Sequence, residues 1–270
     1  MAPVGPRQGG TVILSAAKRA LTVLGLPAVL FTVWWFTTAD STDFYFPALR
    51  DILAAFGTVW TGERLATDVL PSLVRLAEGY LLASAAGIAL GVLIGTKPAV
   101  RDVLEPVLEL FRAIPPPVLV PVIMLFAGIG DTMKVLVIAS GCLWPVLLNT
   151  VEGVRSADEV LSDTCRAFGI TGFARLRHFL LPGAGPQIVT GMRQALSIGI
   201  ILMVISEMFA ASNGLGFTVV QFQRSFAIPE MWSGVLLLGI LGFLLSLLFR
   251  LVENRALAWY HGLRRAQRSS

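Results

Sequence analysis

Charged residues are scarce in this sequence of 270 residues. Aspartate, glutamate, lysine and arginine together make up 14% of it, and apolar residues make up 55%. A soluble domain has roughly 25% charged residues, and the mean hydropathy here is +0.76. Several windows of about 18 residues or more carry almost no charge, which is typical of helices that cross a bilayer. The composition therefore excludes an ordinary soluble domain and predicts an all-α polytopic membrane protein.

The residues that common enzyme motifs require are also missing. None of the three lysines follows a glycine, so the chain lacks a phosphate-binding G-x-x-x-x-G-K-[ST] loop, and it lacks H-E-x-x-H and G-x-S-x-G. The two histidines are far apart in sequence, and the two cysteines, Cys142 and Cys165, follow no metal-ligand spacing. A disulfide is not expected, since one cysteine lies in an apolar run and the other in a polar segment. We therefore predict no enzyme, metal site or cofactor in this chain.

Six apolar runs predict six transmembrane helices. They span residues 21–39, 71–95, 115–127, 133–151, 183–211 and 232–252. The second run is rich in glycine and alanine, which favours close helix packing, and we expect Pro145 to break the fourth. The first run has an alternative interpretation as a cleaved signal peptide, because Thr37-Thr38-Ala39 resembles a cleavage site. Its length and the spans that follow favour an uncleaved anchor.

The predicted organisation follows from these runs. Residues 1–19 form a tail, 20–39 the first span, and 40–70 an external segment in which 47–60 has the spacing of an interfacial helix. Residues 71–255 form the core, with a short charged connector at 97–112 and a polar loop at 153–182, and 256–270 form a basic tail.

Lysine and arginine fall mostly on one side of the predicted membrane. Fifteen lie in the tails and in alternate connectors, and four lie in the opposite set, Arg50, Arg64, Lys134 and Arg224. The positive-inside rule then places both termini and the polar loop in the cytoplasm.

The polar loop has the pattern of a short helix. Ser156 and Glu159 have the spacing of a capping box, so the helix is expected to begin at Ala157. Gly169 is placed to end it in the left-handed conformation. One side of this helix is apolar, and its members are Val160, Leu161, Thr164, Cys165 and Phe168. A second short turn is predicted over 173–178, with Pro182 and Pro186 in the first turn of the next helix. A small apolar face outside the membrane indicates docking to a soluble partner.

These residues resemble the inner-membrane permease subunits of binding-protein-dependent ABC importers. The cytoplasmic signature of that family is roughly E-A-A-x-x-x-G-x(9)-I-x-L-P. Here Asp163-Thr164-Cys165 stands for E-A-A, Gly169 for the glycine, Phe179 for the isoleucine and Leu181-Pro182 for L-P. Five further pieces resemble the sulfonate, taurine, nitrate and bicarbonate branch, namely 72–75, 87–91, 115–121, 126–131 with Lys134, and 211–216.

The resemblance implies a six-span, type I importer-like permease of the bacterial cell membrane. Two permease chains, usually identical, would pair with two cytoplasmic ATPase subunits that bind ATP and magnesium. A periplasmic or lipid-anchored binding protein would deliver a small anion, and no nucleic acid is involved. The residues that the resemblance assigns to ATPase docking are Asp163, Thr164, Cys165, Arg166, Ala167, Phe168, Gly169, Leu181 and Pro182. Arg166, Arg175 and Arg177 either pair with acids on the ATPase or only follow the positive-inside rule.

Five polar or sulfur-containing residues in the spans are candidates for the translocation path: Arg75, Glu78, Asn149, Met203 and Glu207. Charges inside a membrane usually face protein or water. Arg75 and Glu78 share a helix face and are expected to pair, either at a gate or as a structural ion pair. Glu207 either lines a cavity or bonds a neighbouring helix, and Arg193 is expected to reach toward lipid headgroups.

Three other functions stay open at this point. The same machinery would import a small heterocycle or an aromatic acid. A stand-alone channel or secondary transporter would work without ATP, and a membrane scaffold would bind an ATPase without transport.

Overall fold

The computed structural model describes residues 25–209, 211–260 and 262. Helices and turns make up this part of the chain, without a strand. The helices are α1 Gly25–Thr38, α2 Leu49–Val59, α3 Leu70–Thr96, α4 Pro98–Arg112, α5 Leu119–Ala127, α6 Asp131–Arg155, α7 Glu159–Ala167, α8 Gly172–Arg175, α9 Leu181–Phe209, α10 Leu215–Arg224 and α11 Ile228–Ala256. The predicted tail 1–19, the start of the first apolar run and most of the basic tail lie outside the described residues.

Within the described residues, four helices are long and apolar enough to cross a membrane. They are Leu65–Thr96, Asp131–Arg155, Gly172–Phe209 and Ile228–Ala256. A fifth candidate is the pair Pro106–Arg112 and Pro116–Ala127, which is bent by 77°. The all-α membrane class is thus confirmed, while the count of six spans and the cytoplasmic termini stay predictions.

Helices α3 and α6 pack closely along a row of glycines. A Cβ added at Gly79, Gly87, Gly91 or Gly95 would come within 2.6–2.9 Å of a side chain on α6. The facing residues are Ile138, Val146, Thr150 and Val154, and each lies 59 positions further along the chain. This constant offset means that α3 and α6 run parallel, with their backbones as close as glycine allows.

Helix α9 packs against α6 in the opposite direction. Gly199 of α9 faces Cys142 of α6, and Gly191 faces Asn149. Because α3 and α6 begin where α9 ends, the bundle has two distinct ends. One end holds the start of α3 and α6 and the close of α9, and we call it the cluster end. The other is the loop end, which joins α6 to α9 through α7, and a helix of 25 residues separates the two ends by roughly 37 Å.

Two π turns mark where prolines enter the long helices. Leu65–Val69 precedes Pro71, and Leu176–Leu180 precedes Pro182. In each case the residue before the proline donates its N–H five positions back, Leu70 to Leu65 and Leu181 to Leu176. Proline cannot make the usual bond to the fourth residue back, and a π turn is one way for a helix to continue. The chain from Gly172 to Phe209 is therefore one continuous helical stretch.

The structure corrects three local predictions. Asp158, and not Ser156, caps α7, because its carboxylate accepts the N–H of Leu161 at 3.0 Å. The connector 97–112 is the amphipathic helix α4. Pro145 does not break α6, which stays continuous while it packs against α3 and α9.

The predicted helix at 47–60 is present as α2, and one face of it packs inside the chain. Leu49, Ile52 and Ala55 are buried, and Trp60, just after α2, donates its indole N–H to the Ser233 hydroxyl of α11 at 2.9 Å. These contacts fix α2 to the start of α11. Whether α2 also lies along the membrane interface stays a prediction.

Filling the glycine row should destabilise the bundle. We expect Gly91→Val to lower the free energy of unfolding by about 1–3 kcal/mol or more, because the new side chain meets Thr150 across a packed contact. The measurement is SDS titration of the detergent-purified protein. Gly239→Val on α11 is the matched control, since a Cβ there has open space around it. Equal stability of the two variants would contradict the close α3–α6 contact.

Candidate functional site

The cluster end contains a network of polar side chains whose centre is buried. Arg75 of α3 lies at its centre and is 3% exposed, and Glu207 of α9 is 0% exposed. The Arg75 guanidinium donates to Glu207 at 2.8 Å and to the Asp131 carboxylate at 2.7 Å. It also donates to the side-chain oxygen of Asn213 at 2.7 Å. We call Ser72, Arg75, Asp131, Glu207 and Asn213 the polar cluster.

Glu207 has a complete set of partners inside the cluster. Besides Arg75, its carboxylate accepts from the Ser72 hydroxyl at 2.7 Å and from the Gly216 N–H at 3.0 Å. The Ser72 hydroxyl in turn accepts the Leu215 N–H at 2.9 Å. Two of the otherwise unpaired N–H groups at the start of α10 are therefore satisfied by side chains of other helices. The cluster joins α3, α6, α9 and α10.

Glycine is required where α10 approaches the Glu207 carboxylate. A Cβ at Gly214 would lie 2.5 Å from the Glu207 carboxyl carbon, and the φ of Gly214 is +117°. A Cβ at Gly216 would lie 2.4 Å from the Val204 carbonyl oxygen. The sequence Gly214-Leu215-Gly216 thus has a local physical reason, because the chain passes directly over a buried carboxylate.

The predicted pairing of Arg75 with Glu78 is wrong. Glu78 is exposed and forms no ion pair among the described residues. Arg75 instead pairs across helices, because its side chain points into the bundle toward α6 and α9. Sequence reasoning named Arg75 and Glu207 separately but missed their contact and the part of Asp131. The available signal was that buried charges in an apolar bundle need partners of opposite sign.

The other candidates for the translocation path are dispersed. Met203 is buried in the core at 2% exposure. Asn149 is half-buried on α6 and donates to the Gln194 side-chain oxygen of α9 at 3.3 Å. Arg193 pairs with Glu253 of α11, so the expectation that it reaches headgroups is replaced by a contact between helices. The placement of Arg75, Glu78, Asn149, Met203 and Glu207 on a translocation path stays a prediction.

The expected docking helix is α7, and its apolar side chains face outward. Val160 is 75% exposed, Leu161 54% and Phe168 80%, and α7 has no buried residue. A helix on a protein surface normally turns its apolar side toward the core. In α7 the half-buried residues are instead Ser162 and Cys165.

The end of α7 is tightly defined by backbone geometry. Gly169 has a φ of +69°, as expected for the residue after a helix C-cap. The Ile170 N–H donates to the Cys165 carbonyl at 2.8 Å, and the Gly169 N–H donates to the Arg166 carbonyl at 3.1 Å. These two bonds form a Schellman motif, which fixes the backbone at Phe168, the last residue before the left-handed turn. Leu181 and Pro182 lie at the start of α9, beyond the π turn.

Two solved structures of ABC transporters contain chains with a similar fold. The chain matches a subunit of the inward-facing MetNI methionine ABC transporter with a TM-score of 0.61, 21% identity, and coverage of 73% of this chain and 99% of that one. An amino acid ABC transporter with histidines matches with a TM-score of 0.51 and 17% identity over 79% and 97% of the two chains. These likenesses show that this chain shares the helical fold of the membrane chains in those transporters.

Sequence comparison identifies the family. Residues 87–257 match the binding-protein-dependent transport system inner membrane component family, to which this chain belongs. The taurine permease TauC of Escherichia coli (strain K12) is 32% identical over 88% of this chain and 89% of its own. The putative aliphatic sulfonates permease SsuC of Bacillus subtilis (strain 168) is 27% identical over 87% and 86%. The nitrate import permease NrtB of Leptolyngbya laminosa is 29% identical over 72% and 70%.

Membership in this family confirms several predictions. The chain is a multi-pass inner-membrane component and a transport subunit rather than an enzyme. An importer of this kind includes a separate ATPase and an external binding protein, so ATP is handled outside this chain.

Removing the charge of Glu207 should destabilise the bundle. We expect Glu207→Gln to lower the free energy of unfolding by about 3 kcal/mol, because it leaves the buried Arg75 guanidinium without its fully buried partner. SDS titration of the purified protein measures the loss. Glu78→Gln makes the same chemical change at an exposed, unpaired position and should be neutral. If Glu207→Gln left the free energy of unfolding unchanged, the polar cluster would not be what stabilises this end of the bundle.

Proposed function

We propose that this chain forms the membrane pathway of an ATP-driven importer for a small anion. Two copies of the chain pair with two copies of the ATPase, and an external binding protein delivers the substrate. The single observation that supports this most directly is the 32% identity to a taurine permease over 88% of the chain. A sulfonate such as taurine is the first candidate substrate, and nitrate and bicarbonate follow.

The ATPase docks on the outward face of α7. Val160, Leu161 and Phe168 together expose a compact apolar surface on a short helix. Leaving such a patch in water forgoes the free energy of burial, about 25 cal/mol for each Å² of apolar area. A groove on a soluble partner would recover that free energy, in the way that helix-in-groove recognition works in general. Asp163, Thr164, Cys165, Arg166, Ala167 and Gly169 complete the segment, with Leu181 and Pro182 at its return to the membrane.

The mechanism is rigid-body alternating access. Closing of the ATPase dimer on ATP moves α7, and α6 and α9 carry the movement through the bundle because both continue from the loop end to the cluster end. Packed interfaces of this kind change between discrete arrangements rather than deform continuously. In a stand-alone transporter no soluble partner would bury the exposed apolar face of α7, and this favours the ATP-driven function.

The docking proposal predicts the effect of one substitution. We expect Gly169→Arg to abolish ATP-driven uptake and co-purification of the ATPase, while the chain still inserts into the membrane. The φ of +69° is unfavourable for a side chain, and arginine would stand beside Phe168.

Two controls make this test specific. Gly57→Arg introduces the same residue on α2, at an exposed position with open space, and should leave uptake unchanged. Glu78→Gln should alter uptake less than Gly169→Arg does. Normal uptake by the Gly169→Arg variant would refute docking at α7.

The substrate proposal has its own test. In cells that lack this chain, uptake of radiolabelled taurine at micromolar concentration should be lost and should return with the wild-type chain. Uptake of labelled nitrate in the same cells serves as the comparison. Loss of nitrate uptake with intact taurine uptake would make nitrate, and not taurine, the first candidate substrate. Loss of neither would redirect the search to a heterocycle or an aromatic acid.

A further inference from the structure

A polar cleft lies at the loop end, behind the docking helix. Its volume is about 530 Å³, and it lies between the end of α3, the start of α4, the end of α6, α7, and α8 with the turn that follows it. Its charged lining consists of Arg101, Arg155, Arg166, Arg175, Glu159 and Asp163. Four positive and two negative side chains give this small space an excess positive charge.

The positive charge that lacks a partner in this cleft is mainly that of Arg175. It is half-buried, its Nη2 donates to the Ser162 hydroxyl at 2.9 Å, and its guanidinium lies 5.9 Å from the centre of the Phe179 ring. Its Nε is buried without a hydrogen-bond partner, and no carboxylate pairs with it among the described residues. A partly desolvated cation held by a hydroxyl and an aromatic ring still lacks a counter-charge.

The other arginines are only loosely compensated. Arg155 lies 3.7 Å from Glu152, Arg101 3.4 Å from Asp102 and Arg166 3.3 Å from Asp163. These pairs are all local in sequence, and apart from the half-buried Arg101 their side chains are exposed, so each pair is worth little. Their guanidinium groups remain able to donate to a further acceptor, and a guanidinium matches the planar edge of an oxyanion well.

The docking face and the cleft are on different sides of α7. Glu159, Ser162, Asp163 and Arg166 line the cleft, whereas Val160, Leu161 and Phe168 are the exposed apolar side chains. An ATPase seated on the apolar side therefore leaves the cleft unfilled. The occupant must be small enough for the cleft and must carry negative charge.

We propose that this cleft is a binding site for a tetrahedral oxyanion, a phosphate, sulfate or sulfonate group, with Arg175 and Arg101 as its principal ligands. Such a group would bridge α4 and α8, and because Arg175 also donates to Ser162 of α7, it would hold the docking helix at a defined position against the bundle. Either a free anion or the phosphate of an anionic lipid headgroup supplies the same chemistry. This goes beyond the proposed function, because binding concerns this chain alone and needs neither ATPase nor substrate transport.

Thermal unfolding of the full chain in a maltoside detergent tests the proposal. Sodium sulfate and inorganic phosphate are titrated against sodium chloride at equal ionic strength. The melting temperature should rise with the oxyanions and saturate. Sulfate also stabilises proteins in general by exclusion from their surface. The rise in melting temperature of the wild type is therefore compared with that of the variants, because only specific binding depends on the cleft arginines. In Arg175→Gln the apparent affinity should fall about tenfold or more, because a charge-assisted hydrogen bond is lost.

Three further variants separate binding from folding. Arg101→Gln changes a residue of α4 that lines the cleft and should weaken binding without altering α7. Arg175→Lys keeps the charge and should retain part of the affinity. Arg255→Gln removes an exposed arginine outside the cleft and should bind as the wild type does. An equal response of the wild type, Arg175→Gln and Arg101→Gln to sulfate would overturn the proposal, as would the absence of any saturable response.

A lipid titration then distinguishes the two sources of the anion. Short-chain phosphatidylglycerol is compared with short-chain phosphatidylcholine on the wild type and on Arg175→Gln. The lipid headgroup is the ligand if phosphatidylglycerol raises the melting temperature of the wild type but not of Arg175→Gln, and if sulfate reduces this rise. A response to sulfate and phosphate without a response to phosphatidylglycerol identifies a free anion.

Discussion

The buried pairing of Arg75 with Glu207 is the interaction on which the cluster end of the bundle depends. A charge inside an apolar bundle costs several kcal/mol unless a partner meets it, so α3 and α9 can close only in the register that brings these two side chains within 2.8 Å. The same carboxylate then organises the start of α10, since it accepts the Gly216 N–H. Glycines at 214 and 216 follow from this arrangement, because the backbone must pass within contact distance of Glu207.

The glycine row between α3 and α6 connects this end to the loop end. Close backbone approach over four contacts makes the two parallel helices a single stiff unit. The irregular positions are elsewhere, at the π turns Leu65–Val69 and Leu176–Leu180. A bend at these turns disturbs fewer regular hydrogen bonds than a bend inside α6. In the proposed mechanism a force on α7 would move the α3–α6 unit as a rigid body, and the helices would bend at the π turns.

Much of this architecture could be predicted from the sequence, because apolar runs and small residues act locally. The positions of four long apolar helices, the close packing of α3 and the left-handed Gly169 all follow from composition and spacing. The cap at Asp158 was missed because Ser156 offers the same chemistry two residues earlier. The continuity of α6 through Pro145 and the partners of Arg75 depend on neighbouring helices, and periodicity within one helix carries no information about them. Ser72, Asp131 and Asn213 belong to three separate pieces of the family resemblance, and only folding shows that they meet.

The balance of charge in the polar cluster also bears on where the substrate is selected. Arg75 and the buried Lys134 are matched by Glu207 and Asp131, and Asp131 accepts from both cations. The charges of these four residues balance, and Arg75 could hold an anion only if its bond to Glu207 opened, which would expose a buried ion pair. Selection by these residues would thus work against the stability that they provide. A separate external protein can select the substrate without opening this buried pair. The membrane chain then has only to provide the passage and to change its conformation.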